Sequence, residues 1–238
     1  MATQNYLASH SERAPSISVV ICSRDRPRQL ERALRAIAPA LRATDDCLVV
    51  LNAQAEDVHS YFRERFPFAR FVLEPRPGLD WARNRALIEG RSDVLLFTDD
   101  DCVPDASWID AYRRLFDRNP DVDVATGLVE PLELATPAQV LFESYGGFAR
   151  GYVRRWIHAP RRARVATAVG NVGSYGTGAN LAIRRRFVER MGPFDAALGV
   201  GTRTGGGDDL EMIFRALKVG ALLAYEPRAI VRRASTRT

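Results

Sequence analysis

The sequence predicts an α/β fold: a single domain with a mostly parallel sheet flanked by helices. Three observations predict it. Short apolar runs alternate with segments of helical period over the first hundred residues, the pattern of successive βαβ units. Those runs are continuously apolar rather than alternating, as strands covered on both faces are. Several end in turn-forming or charged residues, at the sheet edge where open parallel sheets place their ligands. The 238 residues show no internal repeat and no linker. One domain is therefore expected over residues 16–233, between a flexible leader (1–15) and a short tail (234–238), with halves at 16–104 and 105–233.

Each element follows in order. Ile17–Cys22 is the first strand, and it ends in Ser23-Arg24-Asp25-Arg26-Pro27; Leu30, Ala33, Leu34 and Ile37 then recur at helical spacing. Cys47–Leu51 is the second strand, followed by Asn52 and an amphipathic segment carrying Val58, Tyr61, Phe62 and Phe66. Arg70–Leu73 is the third, before the Pro75–Gly78 turn and a helix from Asp80 to Gly90. Val94–Thr98 is the fourth and runs straight into Asp99-Asp100-Asp101. Beyond it the pattern is less regular. Trp108, Tyr112, Leu115 and Phe116 mark a helix, and Val122–Val129 reads as a strand. Phe148–Thr167 has no period and is expected to be a long mobile loop. Order resumes at Gly176–Ile183, and the glycine-rich stretch 199–207 leads to a helix with Leu210, Ile213, Phe214 and Leu217 on one face, closed by Gly220. Ala221–Tyr225 is the last strand.

Composition narrows the function classes. Hydrophobic residues at 46% and charged ones at 26% exclude a disordered or collagenous chain. No window approaches 18 uncharged apolar residues, and Met1–Pro15 lacks an apolar signal-peptide stretch, so a cytoplasmic protein is expected. Cys22, Cys47 and Cys102 have no metal-ligand spacing and read as reduced thiols. The net charge of +5 is carried almost wholly by arginine, Lys218 being the only lysine. Guanidinium suits phosphate-bearing partners. Nucleic acid is not expected, because the arginines are scattered without interleaved aromatics. Arg154-Arg155 and Arg161-Arg162-Ala163-Arg164, with Tyr152 and Trp156, read first as a solvated basic loop; an anionic acceptor or a peripheral membrane contact are the alternative uses.

Asp99-Asp100-Asp101 is the most informative cluster. Two carboxylates about 5 Å apart repel by roughly 3 kcal/mol at an effective dielectric near 20, so three adjacent ones call for a cation or a proton. Oxygen ligands without histidine favour Mg²⁺ or Mn²⁺ over zinc; a solvated turn with one helix-capping aspartate is the alternative. Asp208-Asp209-Leu210-Glu211, after the three glycines 205–207, is the second cluster. Acids at a helix N-terminus complement the macrodipole in many proteins. Paired with the first cluster, they suit a two-carboxylate site, one cluster for metal and one for proton abstraction. Gly176–Asn180 lets the backbone approach a ligand or serves as an ordinary turn.

Together these residues resemble glycosyltransferase family 2. The resemblance rests on Ser18–Pro27, Ala82-Arg83-Asn84, Phe97–Asp101, Gly178-Ala179-Asn180, Gly192-Pro193-Phe194-Asp195 and Asp208–Glu211, in that order over residues 16 to about 233. It implies a GT-A fold with a nucleotide-sugar-binding N-terminal half and an acceptor-binding C-terminal half. Ser23, Arg24, Asp25, Asn52, Arg83, Asp99 and Asp100 would serve the donor. Asp99 and Asp101 would form the DXD motif, Asp101 the direct metal ligand. Asp209 matches the general base, while Gly178, Asn180, Asp208 and Glu211 fall on the acceptor side. Two positions depart from the family pattern: Leu51-Asn52 where an aspartate is common, and Arg233 where a histidine is common. An arginine cannot ligate metal but can meet a diphosphate.

The resulting expectation is an inverting, Mg²⁺- or Mn²⁺-dependent glycosyltransferase that moves a sugar from a nucleotide-diphosphate sugar to an acceptor hydroxyl. The acceptor class (saccharide, lipid-linked or small molecule) stays open. The rival readings are a degenerate, non-catalytic nucleotide binder, motivated by Leu51 and Arg233, and a haloacid-dehalogenase-like phosphatase, motivated by the Asp99–Val103 pattern.

Overall fold

The computed structural model describes residues 13–158 and 171–234. The predicted alternation forms β1 (Ile17–Ser23), α1 (Pro27–Ile37), β2 (Asp46–Asn52), α2 (Glu56–Arg65), β3 (Arg70–Glu74), α3 (Leu79–Glu89) and β4 (Val94–Asp99). The second half holds β5 (Cys102–Pro104), α4 (Trp108–Arg118), β6 (Val124–Pro131), α5 (Pro137–Ser144), β7 (Arg155–His158), β8 (Asn180–Arg184), α6 (Arg185–Met191), α7 (Asp208–Lys218) and β9 (Leu222–Arg233).

All nine strands join one sheet in the order β3-β2-β1-β4-β8-β6-β9-β5, with β7 pairing β9. β1, β2, β3, β4, β6 and β9 run in one direction, and β5, β7 and β8 run against them. Successive residues of a strand face opposite sides. Ile17, Val19 and Ile21 enter one apolar cluster with α1, α2 and α4, while Val20 enters another with α3, α6 and α7. Both faces are covered, which is why the runs are apolar without alternation. The order reverses between β1 and β4, where crossovers leave in opposite directions and open a crevice at the strands' carboxyl ends. Cys22 of β1 pairs there with Asp99 of β4.

Four differences from expectation have physical reasons. Arg155–His158 lies within the expected loop yet forms β7, because β9 offers it a free edge at Leu222–Tyr225; residues 159–167 of that segment lie outside the described residues, as does most of the leader. Arg154 of the basic run pairs with Glu226, and Arg155 donates to the Ser174 carbonyl at 2.7 Å. β9 continues past Glu226-Pro227 to Arg233 because Pro227–Ala229 bulge out: Gly127 of β6 pairs with Glu226, and the next residue, Leu128, pairs with Ile230. A proline without an N–H is tolerated at such a bulge. Finally, α7 buries Asp208, Met212, Ile213, Ala216 and Leu217, leaving Leu210 exposed at its surface. The helix is thus rotated from the expected Leu210–Phe214 face, turning Asp208 inward.

Candidate active site

The crevice is a cleft of about 250 Å³ lined by Ser23, Arg24, Asn52, Asp99, Asp100 and Arg233, among others. Residues with unusual backbones flank it. Among the described residues, Asp25 and Ala53, just past β1 and β2, are the non-glycine residues with positive φ (57° and 50°), a conformation that aspartate tolerates better than most residues.

The three aspartates of the β4–β5 turn take different roles. Asp100 is buried, accepting from Ser23 Oγ at 2.8 Å and from Arg26 Nη1 at 3.2 Å. Burial pushes its carboxyl up to about 6, although Ser23 and Arg26 act in the opposite direction. Asp101 is 1% exposed. It meets Arg233 Nε at 3.3 Å and Arg26 Nη1 at 3.9 Å. Asp99 faces the cleft, with Arg83 Nη2 at 3.8 Å and Arg233 Nη2 at 4.0 Å, and burial holds its carboxyl above the usual range. Each carboxylate therefore has a guanidinium beside it. The repulsion that on the sequence alone called for a cation or a proton is met here by arginine.

Arg83 links this cluster to the second one. It rises from the second turn of α3, is 4% exposed, contacts Asp208 directly and lies 3.5 Å from Asp80. Asp80 is equally buried, and neither of its carboxylate oxygens has a hydrogen-bond partner. Burial and neighbouring Asp208 push it up to about 7, against Arg83. Sequence reasoning missed Asp80; the signal was its spacing three residues before Arg83 on one helix face. Gly178 is required where Arg83 passes, since a Cβ there would lie 2.6 Å from Nη2. Its N–H donates to Asp209 Oδ2 at 2.8 Å, and Leu210 N–H donates to Oδ1 at 2.9 Å. A carboxylate has about four acceptor positions, so two remain open.

Other expected site residues are committed elsewhere. Asn180 is fully buried, and all four of its amide positions are filled: Nδ2 donates to the Leu128 and Ala229 carbonyls, and Oδ1 accepts from Trp108 Nε1 and Tyr112 Oη. No position is left for an acceptor. Glu211 pairs with Arg215 on the outer side of α7. Asp208 faces Arg83 rather than an open acceptor side. Asn52 borders the cleft, but its amide ties the Pro75–Gly78 turn through the Arg76 carbonyl and Gly78 N–H. Asn84 exchanges two hydrogen bonds with the Phe194 backbone, so these two motifs pack against each other.

Asp99, Asp101 and Cys102 each bring a ligand atom within 4.8 Å of the others. Burial raises the Cys102 thiol well above its ordinary value, which keeps it protonated and a poor ligand. The two carboxylates remain, an oxygen set that suits Mg²⁺ or Mn²⁺. Beside the cleft, a groove of about 320 Å³ is lined by Leu134, Phe142, Phe148 and Glu143, among others, and Arg233 borders both.

Comparison with known proteins bears on the fold and the family. No curated protein sequence matches the chain. Among solved structures, GalNAc-T7 with UDP, GalNAc and Mn²⁺ is similar at TM-score 0.66 and 14% identity, over 94% of this chain and 45% of that one. The mannosyltransferase PcManGT from Pyrobaculum calidifontis, in complex with GDP-Man and Mn²⁺, is similar at 0.63 and 18%, over 95% and 59%. S. aureus TarS is similar at 0.66 and 12%, over 93% and 37%. The chain thus spans about half the length of these proteins. The likeness is one of fold, the GT-A fold. The model of glycosyltransferase-like family 2 matches residues 14–238, so that cleft, acidic clusters and their spacing all fall within it, and the chain belongs to glycosyltransferase family 2.

Proposed function

We propose that the protein moves a sugar from a nucleotide-diphosphate sugar to an acceptor hydroxyl, with inversion and with a divalent cation. The observation that carries this reading is Arg83, which contacts Asp99 of β4 and Asp208 of α7 and so ties the two acidic clusters together beside the cleft at the sheet's switch point. Two of the similar structures contain a nucleotide or nucleotide sugar with Mn²⁺.

Asp99 and Asp101 would hold the cation, which when bound supplies positive charge against the departing diphosphate. Arg83, positioned by Asp80 and Asp208, adds a fixed guanidinium on the same side, and Ser23, Arg24 and Asp25 border the space for the nucleoside. Asp209 takes the acceptor proton on one of its open carboxylate positions. Its two backbone hydrogen bonds fix the carboxylate's orientation, so the proton-accepting atom is set before substrate arrives. Direct displacement on an α-linked donor then yields a β-linked product. The acceptor approaches from the groove beside Arg233, where Phe142 and Phe148 offer apolar contact. The phosphatase reading loses its support with the family found.

Asp209→Asn tests the chemistry. It should leave UDP or GDP affinity with Mn²⁺ within a few-fold while lowering single-turnover transfer by roughly 10²–10⁴. Near-normal transfer by Asp209→Asn, or retention of the donor's anomeric configuration, would overturn the mechanism.

A further inference from the structure

Arg233 is held against the acidic cluster by the fold itself. It ends β9 opposite Cys102 of β5, one residue beyond Asp101, and the Ala234 N–H closes onto the Asp101 carbonyl at 2.9 Å. Its guanidinium lies 4.8 Å from the centre of the Phe148 ring on one side and 3.3 Å from Asp101 Oδ2 on the other. Asp101 is the less accessible of the two carboxylates suited to a cation; Arg233 meets its Oδ2, and the Cys102 thiol lies 3.6 Å from its Oδ1.

We propose that Arg233 is the cluster's built-in counter-cation. In the donor-free protein its guanidinium occupies the Asp101 carboxylate that a divalent cation needs, and a bound diphosphate draws it away. The proposal rests on the donor reading given above and deepens it into an order of binding. A guanidinium and a divalent cation repel each other and cannot share one carboxylate oxygen at close range. The same fork of N–H groups that grips a carboxylate also grips a phosphate, so a diphosphate arriving in the cleft offers Arg233 a replacement partner. Asp101 is then released as the cation's ligand. Cation alone binds weakly, and cation and nucleoside diphosphate each strengthen the other's binding by the same factor.

The test is Mn²⁺ affinity, read from the electron paramagnetic resonance of free Mn²⁺, for wild type, Arg233→Gln and Arg233→Lys, alone and with UDP or GDP. Glutamine keeps the stem over Phe148 and removes the charge; lysine keeps the charge. Circular dichroism confirms that each variant is folded. Arg233→Gln should bind Mn²⁺ alone on the order of tenfold or more tighter than wild type, with Arg233→Lys close to wild type. Nucleoside diphosphate should raise wild-type Mn²⁺ affinity on the order of tenfold or more, and that gain should shrink to within about threefold in Arg233→Gln. Adding Asp101→Asn to Arg233→Gln should abolish the tighter Mn²⁺ binding. Arg233→Gln binding Mn²⁺ no more tightly than wild type, or an equal nucleotide gain in both, overturns the proposal. If neither UDP nor GDP binds any of the proteins, the donor reading falls; the Mn²⁺-alone comparison still decides whether Arg233 competes for Asp101.

Discussion

Replacing Arg83 with glutamine removes the one guanidinium among the described residues that touches both acidic clusters, and its consequences can be worked from the geometry. The side chain is buried against Asp208, with Asp80 at 3.5 Å and Asp99 at 3.8 Å. Glutamine can still donate hydrogen bonds but carries no charge, so Asp80 and Asp208 are left without their positive partner. Removing one partner of a buried ion pair costs about 3–5 kcal/mol. At this chain length each kcal/mol moves the melting temperature by about 2–4 °C, so a fall of about 10 °C is expected. The loss should also depend on pH. In the wild type Asp80 is raised from 3.8 to about 7, so the folded protein holds a proton that the unfolded chain releases. That group's contribution is fully present below its unfolded value and is lost as pH rises through its folded value. Arg83 acts to lower Asp80, so its removal raises Asp80 further and enlarges the loss at high pH. Thermal unfolding followed by circular dichroism from pH 5 to pH 9 should show a gap that is nearly constant below about pH 7, where Asp80 holds its proton in both folded proteins, and that widens above it. Arg83→Gln combined with Asp208→Asn should recover much of it. A gap that is the same at every pH, or a variant that melts like wild type at pH 8, would refute the reasoning.

Three further outcomes follow from the contacts described. Asn180→Leu should cost several kcal/mol in urea unfolding, because it strands the Trp108 donor and takes the amide from the Leu128 and Ala229 carbonyls, at about 1–3 kcal/mol for each buried unsatisfied group, while the Tyr112 hydroxyl keeps only its 3.3 Å bond to the backbone carbonyl of residue 180. Gly178→Ala places a methyl 2.6 Å from Arg83 Nη2, so transfer should fall further than the melting temperature does. Thr136→Ala breaks the capping box of α5 and should cost about 1 kcal/mol, seen as faster amide exchange confined to that helix.

The parallel half of the fold was legible because each strand there is an unbroken apolar run and each helix has a face such as Leu30, Ala33, Leu34 and Ile37. The second half was harder for specific reasons. α5 carries its own start signal, Thr136-Pro137-Ala138-Gln139, but has no buried apolar stripe to give it a period. α7 was read with its face set to one side: Ile213 and Leu217 are buried as expected, but Met212 and Ala216 join them, while Phe214 is only partly buried and Leu210 is exposed. That rotation decides which aspartate faces Arg83. The Asp99–Asp101 cluster could be read from position alone. Its pairing with Arg26, Arg83 and Arg233 could not, since those partners stand 74, 16 and 132 residues from their nearest contacts in that cluster and only the sheet order brings them together. Asn180 looked like a ligand residue because it sits in a glycine-rich turn; its fully engaged amide emerges only once β6, β8, β9 and α4 are assembled.

The bulge at Pro227–Ala229 also constrains how this chain can change over generations. The Leu128 and Ala229 carbonyls at the bulge are satisfied by one amide, that of Asn180, and Gly127 must lack a side chain because a Cβ would collide with that amide and with Ala229. A substitution at Asn180 alone leaves the bulge unsatisfied, and a side chain at Gly127 displaces the amide. Straightening the strand by deletion removes the carbonyls that the amide exists to meet. Each single step lowers fitness through stability, while a combined change that regularises the strand is open. Gly127, Asn180 and the length of the Glu226–Ile230 segment should therefore vary together among descendants of a common ancestor, with few intermediates carrying only part of the set.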